Sequence, residues 1–164
     1  MNPDHIVLFG ADSQRLKSIL SFIQKDLKAQ VVLLINRSGH QIACAGPSGE
    51  LDMTSLASLA AANLAATQGL AQLVAEPSFS VLHHQGTDRS IHISSLGDRF
   101  ALILVFYEPV AVGIVRWKLK RATSALEEVF RDFISREEAA QMDSIAESSP
   151  SLFSDEEIER LLGS

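Results

Sequence analysis

The chain's most concentrated chemistry is a trio of histidines, His83, His84 and His92. A metal site needs three or four convergent ligands, each oriented by a further hydrogen bond. On two neighbouring strands only His83 and His92 are placed to face each other, so ordinary hairpin histidines are the expectation and no metal is assigned. Arg37, Arg89 and Arg99 sit in or beside turns, where an arginine could be displayed to a transferring phosphoryl group, yet nothing distinguishes one of them. A G-x-x-x-x-G-K-[ST] phosphate loop, a G-x-S-x-G elbow, a CxxC pair and an HExxH pair are all missing. No catalytic residue and no cofactor is therefore assigned, and the chain is expected not to be an enzyme.

Bulk properties narrow the class further. A chain of 164 residues with 46% hydrophobic content is long enough to bury a single sizeable core. The net charge of −6 is unevenly placed. Residues 1–135 balance their acids and bases, whereas residues 136–164 hold two bases (Arg136, Arg160) against eight acids. Nucleic acid is not expected as a partner, because binding it requires a basic surface that displaces counterions. The cluster Arg116, Lys118, Lys120 and Arg121 is read as a solvated helix face. A lone Cys44 and a start without a basic segment before an apolar one fit a reducing, cytoplasmic setting. The only membrane candidate, 100–117, is cut by Glu108-Pro109, so no membrane span is expected.

These side chains must be positioned by elements that periodicity outlines. Leu16, Ile19, Leu20, Ile23 and Leu27 recur at helical spacing and predict a first helix over 13–28. Val31-Val32-Leu33-Leu34-Ile35 is too short for a helix and rich in branched residues, as in a buried strand. A turn at 36–39 leads to a second strand over 41–46. A long helix from 52–54 to about 74 is stopped by Glu76-Pro77. Strands over 80–85, 90–95 and 100–106 follow. A last helix carries Val112, Val115, Leu119, Ala122, Leu126, Val129 and Phe133 as an apolar stripe. The order is α-β-β-α-β-β-β-α plus a tail. An α/β (α+β type) fold follows, with a five-stranded antiparallel sheet between helices. Residues 1–135 form the domain. Residues 136–164 read as an acidic flexible linker ending in a short amphipathic tail helix.

The middle helix departs from the usual pattern. Leu56, Leu59, Ala66, Leu70 and Leu73 are expected to pack on the sheet. The other side presents Ser58, Ala61, Ala62, Ala65, Gln68, Gly69 and Gln72, and no charge occurs between Met53 and Glu76. Glycine inside a helix costs about 1 kcal/mol relative to alanine, and an uncharged surface is cheap to desolvate. Helix propensity accounts for the alanines but not for Gly69 or the missing charges. This second side is therefore expected to bind a protein partner.

In the tail, Ser154 and Glu157 form a capping box. Ile158, Leu161 and Leu162, with Leu152 and Phe153 ahead of them, make a short apolar face that is marginal alone in water. Docking on a partner is the expectation, with folding back on the body as the alternative.

The element order, the first strand over 31–36 and the segment Thr54-Ser55-Leu56-Ala57-Ser58-Leu59 resemble the roadblock / dynein light-chain family over roughly residues 12–135. Within it, Ala-Asn-Leu-Ala-Ala-Thr at 62–67, Gly-Leu-Ala at 69–71, His84-Gln85-Gly86 and the closing Asp-Glu-Glu-Ile-Glu-Arg-Leu-Leu are similar to the MglB-like regulators of gliding motility. The resemblance implies the roadblock fold and a homodimer with strands joined edge to edge and second helices side by side. It also implies a partner, an MglA-like small Ras-like GTPase, whose GTP hydrolysis is stimulated without a donated arginine. Cell polarity or motility control, with concentration at a cell pole, belongs to the same implication. Two alternatives stay open. One is a non-catalytic scaffold. The other is a tail that serves as a docking peptide for a response-regulator receiver domain, because 152–162 looks similar to the receiver-binding peptide of flagellar switch proteins.

Overall fold

The structure is a computed structural model that describes residues 10–49 and 51–148. Its elements are α1 (Gly10–Leu27), β1 (Val31–Asn36), β2 (Gln41–Ala45), α2 (Met53–Leu73), β3 (Val81–Gln85), β4 (Ser90–Leu96), β5 (Phe100–Phe106) and α3 (Val112–Ser148). This is the expected order. The five strands form one antiparallel sheet in the order β2-β1-β5-β4-β3.

β5, and β1 as far as its closing Asn36, are apolar because they lie in the interior of the sheet and are buried along their whole length. Side chains alternate between the two faces. Val31, Leu33, Ile35, Ile93, Ala101 and Ile103 meet Ala57, Ala60 and Leu64 of α2 in one core cluster. Val32, Leu34, Leu102 and Leu104 are equally buried and point the other way, toward the side of α1 and α3. The helices bury matching stripes there, Leu16, Leu20 and Ile23 from α1 and Val115, Leu119, Leu126 and Val129 from α3.

Helix ends follow from local chemistry. After α1, Lys28 adopts a left-handed φ of 53°, while Ala29 N–H reaches Gln24 O and Lys28 N–H reaches Lys25 O. After α2, Ala75 takes φ 57° and Glu76 N–H bonds Ala71 O at 2.9 Å. Both satisfy carbonyls left open at a helix end. Pro77 then prevents continuation. α1 begins at Gly10, a turn before the expected start at 13, with Asp12 inside its first turn where a carboxylate complements the helix dipole.

The chain divides into two compact units, Met1–Val129 and Phe130–Ser164. Residues 136–148, expected as linker, are helical within α3. Glu137, Glu138, Ala139, Ala140, Gln141 and Met142 have high helix propensity, whereas the shift to Glu, Ala, Ser and Pro after Ser135 reads as a linker. The tail residues Leu152, Phe153, Ile158, Leu161 and Leu162 lie outside the described residues. Among the described residues no helix is long and apolar enough to cross a membrane.

Candidate functional site

Helix α2 is anchored before it is exposed. Asp52 caps its start, accepting from Ser55 N–H at 3.0 Å and from the Ser55 hydroxyl at 2.6 Å. These bonds hold the Asp52 carboxyl below its ordinary pKa of 3.8. At the β1–β2 turn, Asn36 Oδ1 accepts from His40 N–H at 2.8 Å, closing a side-chain turn. Gly39, at φ 82°, lets this turn lie directly on α2. A Cβ there would stand 3.0 Å from Ser58 Cα and 3.4 Å from Ala61 Cβ. At its other flank, Asn63 Nδ2 lies 2.9 Å from His84 Nε2 on β3, and Gln68 Nε2 donates to Pro77 O at 3.2 Å. The helix is thus fixed between the β1–β2 turn and the β3 edge.

Its buried arc is Ala57, Ala60, Leu64, Thr67 and Ala71. This corrects the expected packing face. Of the five residues assigned to the sheet, only Leu56 is half-buried against the core. Leu59, Leu70 and Leu73 are 69%, 58% and 83% exposed, and Ala66 is exposed too. At 100° per residue the buried arc and the expected one both show helical spacing. The choice of the larger side chains as core followed size, whereas a helix lying so near the sheet and the Gly39 turn admits mainly alanine.

Of the residues expected on the partner side, Ser58, Ala62, Ala65, Gly69 and Gln72 are exposed. Ala61 and Gln68 are half-buried, the first against the core cluster and the second held by Pro77. The outward surface therefore consists of a small-residue track, Ala62, Ala66 and Gly69, flanked by Leu59, Leu70 and Leu73. The four residues missed in the sequence, Leu59, Ala66, Leu70 and Leu73, make it more apolar than expected. Beside it, Phe79 and Arg37 line a cleft of about 380 Å³ bounded by Leu64 and Gln68. This surface can dock a polypeptide.

The remaining polar candidates lie apart from this surface or are bound to other parts of the fold. His83 pairs with His92 in register, with ring centroids 5.7 Å apart. His92 is fully buried, and burial, reinforced by His83 and Arg116, pushes its pKa down to about 4. His83 is also lowered, first by burial and then by His84. Neither ring has a hydrogen-bond partner among the described residues, and no group of three metal-ligating side chains occurs among them. Arg37 Nε donates to Asp98 O at 2.7 Å, and the Arg89 guanidinium lies over Tyr107 at 5.6 Å.

Among curated proteins there is no significant match. Among solved structures, Myxococcus xanthus MglB is 33% identical with a TM-score of 0.71, covering 77% of this chain and 96% of that one. The gliding protein MglB from Thermus thermophilus gives the same figures, and an MglB with tetrameric arrangement gives a TM-score of 0.72 at 33% identity. The Roadblock/LC7 domain matches residues 15–106, which span α1 from Arg15 onward, all five strands and the whole of α2. The chain belongs to the Roadblock/LC7 family.

Proposed function

We propose that this chain is a non-enzymatic regulator that binds an MglA-like small GTPase through the outward face of α2 and stimulates its GTP hydrolysis without donating a catalytic residue. The observation that carries the reading is the exposure of Leu59, Leu70 and Leu73 around an uncharged track of small residues. Apolar exposure of this kind marks an interaction surface, and small residues permit close approach of a second backbone. The similarity to MglB structures supports the choice of partner. The engagement of Arg37 with Asp98 O and of Arg89 with the Tyr107 ring supports stimulation that works by rearranging the GTPase's own residues.

The reading includes a homodimer. The sheet ends at β2 and β3, and an unpaired edge is a template for another strand. Because Asn63 ties α2 to His84 on β3, joining through β3 would set two α2 helices side by side and widen the docking surface. Single-turnover GTP hydrolysis by the cognate GTPase, with and without this protein, tests the proposal. An accelerated rate supports it. Binding with an unchanged rate replaces it with a scaffold that holds its partner, and no binding removes both.

A further inference from the structure

A second apolar surface lies on the opposite side of the sheet. Phe22 of α1 and Trp117 of α3 are 65% and 76% exposed, and they flank a groove of about 790 Å³. Small side chains, Ser18, Ala122 and Ala125, line it together with Ile19. Its charged lining is Asp26, Lys118, Lys120 and Arg121. Lys118 Nζ is committed to Asp26, at 2.7 Å from the backbone oxygen and 3.3 Å from the carboxylate. Lys120 and Arg121 are left to give the groove its positive sign. Aromatic walls, a small-residue lining and a basic rim suit a short helix with an apolar face and acidic flanks.

The chain itself contains such a segment. In the sequence of 152–162, Ile158, Leu161 and Leu162 follow at helical spacing after Leu152 and Phe153, and Asp155, Glu156, Glu157 and Glu159 lie among them. We infer that segment 152–162 of a second copy of the chain docks in the groove between α1 and α3. The body of each copy is neutral while residues 136–164 carry the whole excess negative charge, so copies attract tail to groove. The apolar face would cover Phe22 and Trp117, and the carboxylates would meet Lys120 and Arg121.

Trp117 is the only tryptophan of the chain, so its fluorescence reads occupancy directly. The test measures acrylamide quenching of the full chain across a dilution series. Protection of Trp117 that is lost on dilution, and lost at every concentration in Ile158→Asp/Leu162→Asp, is the expected result. Lys120→Glu/Arg121→Glu should also lose protection, and adding Glu156→Lys/Glu157→Lys to it should restore it. Because the tail changes leave the body untouched, a loss there cannot come from misfolding. Equal quenching in the parent chain and the tail variant overturns the inference and leaves the groove to another partner. Protection that survives dilution overturns the second copy as donor.

Discussion

The outward face of α2 and the groove between α1 and α3 are both apolar and both exposed, yet they are built on opposite plans. On α2 the surface is a track of alanine and glycine with leucines at its margins and no charge anywhere. In the groove two large aromatic rings stand over small residues, with Lys120 and Arg121 at the rim. The first plan lets another backbone come close over a broad, neutral area. The second accepts one amphipathic segment and selects it by charge. Exposed hydrophobicity alone would have grouped the two; side-chain size and rim charge separate them.

The sharpest way to break this contrast is to charge the neutral face. Gly69→Arg combined with Leu73→Arg is expected to lower affinity for the GTPase by roughly 100-fold, about 2.7 kcal/mol, with the circular dichroism spectrum unchanged. Ala65→Arg, on the flank of the same face, should cost less. Normal binding by the double variant would end the assignment of α2 as the docking surface.

Another difference between the two sides is His92, which lies on the side of α3 in a cleft with Arg116, Lys120 and Glu127. Its pKa falls from 6.5 to about 4 on folding, so the unfolded chain binds the proton more readily. The stability it leaves intact is complete above pH 6.5 and declines as pH falls from 6.5 toward 4, by on the order of 2 kcal/mol. His92→Leu should flatten that decline in urea unfolding at pH 7 and pH 4.5. An unchanged slope would place the pH dependence elsewhere.

A smaller effect is expected at the start of α2. Asp52→Ala removes the cap and should speed hydrogen exchange at the Ser55 amide with little change in global unfolding. Because the Asp52 pKa is lowered in the fold, the protection is present above its ordinary 3.8 and fades as pH drops below it. Unaltered exchange in the variant would mean that the cap does not hold the helix. Smallest of all should be Arg37→Ala, Arg89→Ala and Arg99→Ala. A true arginine finger is worth about 10³-fold or more in rate, so a large drop in stimulated hydrolysis in any of the three would overturn stimulation without a donated residue.

Much of this architecture is legible in the chain. Period-two and period-3.6 patterns outlined every helix and strand, with β5 matching residue for residue and the others within a few positions, α3 excepted. The candidate site was only half legible. Its helix was identified, through the missing charges and Gly69, but its leucines were placed on the wrong side. A helix whose two faces are alanine-rich and leucine-bearing does not state which one is covered, since both recur at three and four residues.

Hydrophobic periodicity and turn residues determine elements because they act over a few neighbours along the chain. They therefore determine the strands, the antiparallel hairpins and, the length of α3 apart, the helices of this protein. Which face of α2 is buried depended on a distant constraint, the close approach of the Gly39 turn and of the central strands, which leaves room for Ala57, Ala60 and Ala71 but not for a row of leucines. Only the packed tertiary structure contains that distance, and so only it could turn Leu59, Leu70 and Leu73 outward.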